Sequence, residues 1–155
     1  AICSFKGIKH RIEVIKTVNG VTYIDDSKGT NVDATVKAVE TMTEPTVILL
    51  GGKDKGYDYA PLFAMIKESK VVHAVLYGEN RFKLLNAAIK SGFVNFSLCS
   101  EFGTAVRIAE FISKPGQNVL LSPASSSFDS FSNYEERGDA FKKLVEGINE
   151  EAVEE

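Results

Sequence analysis

Cysteine is scarce. Cys3 and Cys99 are the only two in 155 residues, far apart and with no second Cys or His at metal-ligand spacing. This excludes a disulfide-stapled scaffold and a structural zinc site, and it fits reduced thiols in a cytoplasmic protein. Histidine is as sparse, with only His10 and His73. The serines at 125–127 therefore lack the partners of a Ser-His-Asp hydrolase, and no Gly-x-Ser-x-Gly turn is present. His73 lies in a strand-like run, as a packed histidine does. Apolar runs such as residues 47–50 are short, far below the ~20 residues a membrane helix needs. The opening, Ala1-Ile2-Cys3-Ser4-Phe5-Lys6-Gly7, has no signal-peptide core. It starts without Met, as a segment cut from a longer chain would.

An excess of one charge is also missing: 18 Lys+Arg stand against 21 Asp+Glu, a net −3. A broad electrostatic grip on nucleic acid or an anionic membrane is thereby disfavoured. Four of the acids follow Asn149 (Glu150, Glu151, Glu154 and Glu155), leaving 17 acids against 18 bases before them. A complete P-loop is missing as well. Gly51 and Gly56 frame four residues as Walker A does, but Tyr57 and Asp58 stand where Lys and Ser/Thr are required.

What is present describes one soluble domain over residues 1–155, 44% hydrophobic and 25% charged. A chain of this length buries about 68–70% of its unfolded surface without staples. The runs at 11–18 and 21–25, rich in Ile, Val, Thr and Tyr, flank Asn19-Gly20 and read as a hairpin. Short apolar runs then alternate with amphipathic stretches. The strands are expected at 46–50, 71–77, 95–99 and 118–121, and the helices at 33–42, 59–69, 81–91, 102–113 and 134–147. Gly92 and Pro115-Gly116 fall where helices should stop. The strand runs are nearly continuous in apolar residues, as in a mostly parallel α/β sheet with helices on both faces.

Ligands of such sheets bind beyond the carboxyl ends of the strands. The loops there carry Asp25-Asp26-Ser27-Lys28-Gly29-Thr30-Asn31, Gly51-Gly52-Lys53-Asp54-Lys55-Gly56, Gly78-Glu79-Asn80 and Ser122-Pro123-Ala124-Ser125-Ser126-Ser127-Phe128-Asp129. The first is either a polar turn capped by Asn31 or Asp33, or an anion cradle using a helix N-terminus and Lys28, with Asp26 accepting from a ribose or amine. Lys53 and Lys55 suit a carboxylate or phosphate, or are solvated surface lysines. The hydroxyls of 125–127 suit carboxylate binding, with Phe128, Phe131 and Tyr134 expected to hold their loop against the core. Asp25-Asp26 at a strand end also fits a phosphoacceptor receiver module, a non-enzymatic alternative. That reading lacks its second Asp and its Lys, because Gly78-Glu79-Asn80 and Ser122-Pro123-Ala124 occupy those places.

In order and spacing, Gly7-Ile8-Lys9-His10-Arg11, Asp26-Ser27-Lys28-Gly29-Thr30-Asn31, Leu50-Gly51-Gly52 with Lys55, the Ser122–Asp129 run through Phe131, and Glu136-Arg137-Gly138 resemble the C-terminal domain of the Mur ligases. The resemblance runs from about 5 to 145. The Asp-Ser-Lys-x-Thr-Asn box points to the branch that adds D-glutamate, since sister ligases and folylpolyglutamate synthases are similar here with a His-containing box.

The resemblance implies a six-stranded Rossmann-like sheet opening on a β-hairpin. It also implies a bacterial, cytoplasmic, three-domain ligase of peptidoglycan synthesis, of which only the last domain is present. ATP would phosphorylate the carboxylate of UDP-N-acetylmuramoyl-L-alanine, and the amine of D-glutamate would attack the acyl phosphate. The P-loop, the Mg2+ ligands and a carbamylated lysine belong to the central domain, and the UDP-sugar site to the first. The present domain would close over the central one, deliver D-glutamate and complete the nucleotide site. By position, His10, Arg11, Asp26, Lys28 and Asn31 would face ATP. Thr30 and Lys55 would hold the α-carboxylate of D-glutamate, and Ser127 with the backbone around Phe128 and Tyr134 its side-chain carboxylate. No side chain here would act as acid, base, nucleophile or metal ligand, and the isolated domain would be inactive. Ser125, Phe128 and Lys53-Asp54 depart from the residues frequent in the family.

Overall fold

Asn19 and Gly20 both take left-handed backbone angles, φ 55° and 79°, as a two-residue hairpin turn matching strand twist requires. They join β1 (Glu13–Val18) to β2 (Val21–Asp25) in antiparallel register, Val18 opposite Val21. The computed structural model describes residues 9–150; Cys3, the Gly7-Ile8 start of the first motif and Glu151, Glu154 and Glu155 lie outside them. β1 begins two residues later than the run of β-formers indicates. His10 and Ile12 have φ of 66° and 46°, and the Ile12 N–H donates to Asp26 Oδ1 at 3.1 Å, so the chain wraps the end of β2 before it pairs.

Beyond the hairpin come α1 (Val32–Glu40), β3 (Thr46–Gly51), α2 (Ala60–Lys67), β4 (Val71–Tyr77), α3 (Arg81–Ser91), β5 (Phe96–Leu98), α4 (Phe102–Ile112), β6 (Asn118–Leu121) and α5 (Tyr134–Glu146). Sequence and structure agree on every element: β2, β4, α3 and β6 match to the residue, and the others differ at their ends. α1 stops at Glu40 because the N–H groups of Thr41 and Met42 turn back to the carbonyls of Ala38 and Val39. Gly92, φ 85°, ends α3 as a left-handed cap. Asn31 and Asn133 cap α1 and α5, accepting from the N–H groups of Ala34 and Glu136 at 2.9 and 2.8 Å.

The six strands form one sheet in the order β1-β2-β6-β3-β4-β5, parallel throughout except for the hairpin. Alternate residues of each strand face opposite layers. Ile48, Leu50, Leu76 and Leu120 pack with Leu62, Phe63 and Ile66 of α2 and Leu84 of α3. Val47, Leu49, Val75 and Leu121 pack with Phe102 and Val106 of α4 and Phe141 and Val145 of α5. Every residue of β3 is buried, which is why its run is continuously apolar rather than alternating. Among the described residues, no helix is long and apolar enough to cross a membrane.

β6 lies between β2 and β3. Its loop, the last strand loop in sequence, therefore leaves the sheet edge flanked by the loops that follow β2 and β3.

Candidate functional site

Those three loops are cross-tied by their backbones. The Ala124 N–H donates to the Gly29 carbonyl at 2.9 Å, Gly51 N–H to the Pro123 carbonyl at 3.1 Å, and Lys53 N–H to the Ser126 carbonyl at 2.9 Å. The approach at Gly52 is so close that a Cβ would stand 2.3 Å from the Ser126 carbonyl oxygen, at a φ of 146°. Only glycine meets both demands.

A buried guanidinium fastens the same edge from beneath. Arg137, 1% exposed, donates from Nε to Ser27 Oγ (2.9 Å), from Nη1 to the Ser125 carbonyl (2.9 Å) and from Nη2 to the Ser27 carbonyl (2.7 Å). Burial lowers its pKa from the ordinary value, partly offset by Tyr77, Asp129 and Asp25. Burial in turn pushes the Tyr77 hydroxyl up to about 12. A second network ties the loops after β3, β4 and β6. Asn80 accepts the Gly52 N–H at 3.0 Å and donates from Nδ2 to Ser125 Oγ at 2.8 Å and Tyr59 OH at 2.9 Å. Tyr59 donates to the Ala124 carbonyl at 3.0 Å.

His10 is 1% exposed. It donates from Nδ1 to Asp25 Oδ2 at 2.5 Å, and its Nε2 stands 3.4 Å from Asp139 Oδ1. Its carbonyl accepts the Lys28 N–H at 3.0 Å. A Cβ on Gly138 would stand 2.2 Å from His10 Nδ1, so α5 can approach this pair only with glycine there. His10 thus reaches the site through its backbone, while its ring faces inward. His10, Glu13 and Asp25 lie within 4.8 Å of one another, but their atoms are engaged. Asp25 also accepts the Ser27 N–H at 2.9 Å, and Glu13 accepts the His10 N–H at 3.0 Å and pairs with Lys142 at 2.9 Å.

Asp26, 3% exposed, accepts the Ser122 hydroxyl at 2.6 Å besides the Ile12 N–H. Burial raises its pKa to about 6 against the pull of these two donors. It lines a cavity of about 170 Å³ with Arg11, Lys28, Gly29 and Lys37. Asn31, the α1 cap, and Thr30 follow on the same loop.

On the other side, Lys55 is exposed and its ammonium lies 5.5 Å from the centroid of the Phe128 ring. Lys28 donates to Tyr134 OH at 3.1 Å and lies 4.9 Å from that ring's centroid. Ser127 is 2% exposed, and its carbonyl accepts the N–H groups of Ser130 and Phe131, at 3.1 and 2.8 Å. That turn sends Phe131 inward, edge-on to Phe102 at 5.3 Å, and leaves Phe128 60% exposed. Phe128 therefore does not hold the loop against the core; Phe131 does. Lys53 pairs with Glu79 at 3.3 Å, and Lys83 with Asp54 at 3.4 Å. His73 donates to or accepts from Ser97 Oγ at 2.8 Å within the sheet.

Tyr59, Asn80, Ser122 and Arg137 are site residues to which the sequence assigns no role, and Asp25 has one there only in the receiver alternative. One signal was available: Arg137, Phe141 and Val145 occupy one buried stripe of α5, and a charge on such a stripe needs partners. A larger groove of about 900 Å³ opens between α4 and α5 but contains none of the residues discussed above for ligand contact. Its charges, Glu101, Glu110, Arg107 and Lys143, balance, whereas Lys28 and Lys55 of the strand-end loops have no carboxylate partner among the described residues.

Residues 10–125 match the family described as Mur ligase, glutamate ligase domain. A UDP-N-acetylmuramoylalanine--D-glutamate ligase of Pelotomaculum thermopropionicum is 46% identical over 141 residues, covering 91% of this chain and 31% of that protein. The chain thus spans about a third of the length of the curated relatives it matches. A murein peptide ligase from Psychrobacter arcticus superposes with a TM-score of 0.66 at 15% identity, over 97% of this chain and 32% of that one. A bifunctional folylpolyglutamate synthase/dihydrofolate synthase, solved with Mn, AMPPNP and L-glutamate bound, gives 0.62 at 16% identity, over 90% of this chain and 32% of that one. With sequence, sheet order and strand-end loops in agreement, the chain belongs to the Mur ligase family, through its glutamate ligase domain.

Proposed function

We propose that this chain is the amino-acid-delivering domain of a three-domain, ATP-dependent ligase that joins D-glutamate to UDP-N-acetylmuramoyl-L-alanine in the bacterial cytoplasm. The observation that carries the reading is the convergence of the loops after β2, β6 and β3 at one sheet edge. There they present Lys28 and Lys55, cations that no carboxylate neutralises among the described residues. D-glutamate brings two carboxylates and ATP a polyphosphate, and both suit such groups.

The cavity beside Asp26 supports a nucleotide assignment and bounds it. Arg11 and Lys28 suit phosphate and Asp26 suits a hydroxyl, but about 170 Å³ is below the roughly 300–1,000 Å³ of a complete ligand pocket. The cavity fits part of a nucleotide, the remainder and its Mg2+ resting on the central domain. Asn31 borders this side, and His10 supports it through the Lys28 N–H. Bound ATP supplies the phosphoryl group that activates the muramoyl-peptide carboxylate. Thr30, Lys55, Ser127 and the backbone around Phe128 and Tyr134 border the D-glutamate side. The contribution of these residues is to hold the amine in attack geometry and to offset anionic charge, the usual sources of rate when no side chain exchanges protons.

The test is Lys55→Ala in the complete ligase. KM for D-glutamate should rise on the order of tenfold or more, as for loss of a charge-assisted bond of about 1.5–3 kcal/mol, with KM for ATP little changed. Equal effects on the two substrates would refute the assignment.

A further inference from the structure

The cations at this sheet edge are held in two different ways. Lys53 and Lys83 are each paired with a carboxylate, Glu79 at 3.3 Å and Asp54 at 3.4 Å. Lys28 and Lys55 have no carboxylate within ion-pair distance among the described residues, and each instead lies against an aromatic ring that follows β6: Tyr134, the first residue of α5, for Lys28, and Phe128, in the loop before it, for Lys55. Lys55 Nζ is 5.5 Å from the Phe128 centroid, and Lys28 Nζ is 4.9 Å from that of Tyr134. Both distances are within the roughly 6 Å over which a ring face attracts an ammonium.

We propose that Phe128 and Tyr134 are positioning residues whose rings fix the ammonium groups of Lys55 and Lys28 without neutralising them. The inference rests on the reading of Lys55 and Lys28 as anion-binding groups given above, and adds how they are kept ready. A lysine on an irregular loop has a long flexible stem, and binding must order it. A carboxylate partner would order it but would cancel its charge and compete with an incoming carboxylate or phosphate. A ring orders it and leaves the charge to the ligand. The same idea accounts for Phe128 being 60% exposed, an arrangement that the apolar core does not explain. It also gives the connection from β6 to α5 a reason to lie between the other two loops, since Tyr134 at the start of α5 reaches Lys28 after β2 and Phe128 in the loop reaches Lys55 after β3. At Tyr134 the hydroxyl adds an acceptor for Lys28 at 3.1 Å.

The experiment is steady-state kinetics of the complete ligase carrying Phe128→Leu, Phe128→Tyr, Tyr134→Leu, Tyr134→Phe and, as reference, Lys55→Ala. Phe128→Leu should raise KM for D-glutamate roughly two- to fivefold, the equivalent of about 0.5–1 kcal/mol for an exposed cation–π contact at 1.4 kcal/mol per tenfold. Its kcat and KM for ATP should hold, and Phe128→Tyr should restore the parent value. Tyr134→Leu should raise KM for ATP by a similar factor, with Tyr134→Phe recovering the part due to the ring. If Lys55→Ala raises KM for D-glutamate while Phe128→Leu does not, the ring-holding role is overturned and the role of Lys55 stands. If neither variant moves it, the reading of the site fails with it. A parallel fall in kcat and rise in both KM values for Phe128→Leu would mark a merely structural ring, and would also overturn the proposal.

Discussion

Replacing Arg137 by Met should unfasten the loops after β2 and β6 from each other. The guanidinium is 1% exposed and supplies donors to Ser27 Oγ, the Ser27 carbonyl and the Ser125 carbonyl, all within 2.7–2.9 Å. Met fills similar space but donates nothing, leaving two buried carbonyls without this partner. Each such group costs about 1–3 kcal/mol, so a total loss on the order of 3–5 kcal/mol is expected. For a chain of 155 residues that corresponds to a Tm lower by about 6–20 °C, at roughly 2–4 °C per kcal/mol. Arg137→Lys should recover less than half of it, because one ammonium cannot span three acceptors arranged for a planar fork. Thermal and urea unfolding of the three proteins, followed by circular dichroism at neutral pH, measures the difference. A Tm for Arg137→Met within about 2 °C of the parent would refute the claim that this residue fastens the edge.

Asp26 gives a pH signature. Its pKa is raised by burial from 3.8 to about 6, so the folded protein binds this proton more tightly than the unfolded chain. The associated stability is present below about pH 4 and lost as pH rises through 6, on the order of 3 kcal/mol at 1.36 kcal/mol per unit; Asp26→Asn should lack this component in unfolding free energies measured across pH 4–7. Gly52→Ala meets φ 146° and a carbonyl oxygen 2.3 Å away. Strain alone costs about 1–3 kcal/mol, and the variant should melt well below the parent; an unchanged Tm would show that the loops can separate without loss.

Local chemistry made most of the elements readable. Asn19-Gly20 set the hairpin, the buried run of β3 announced a central strand, and Asn31 and Gly92 marked helix ends by mechanisms that act within a few residues. Strand order was not readable, because β6 joins β2 and β3 through pairings nearly a hundred residues apart along the chain for β2, such as Ile24 with Leu120. The site divides the same way. The loops were identifiable by their Lys, hydroxyl and glycine content, but which groups are spent on one another depends on packing. His10 is turned to Asp25 and Asp139, Asp26 to Ser122, Lys53 to Glu79. Phe128 and Phe131 are indistinguishable as letters three apart; the turn closed by the Ser127 carbonyl decides which one faces the core.

The most direct test of D-glutamate delivery by these loops is a titration of this chain with D-glutamate, with L-glutamate in parallel, followed by backbone amide chemical shifts. Binding should be weak, as for part of a shared site, and perturbations should concentrate at residues 26–31, 51–56 and 122–134, larger for the D than the L enantiomer. Perturbations centred instead on the groove between α4 and α5, or identical for the two enantiomers, would contradict it.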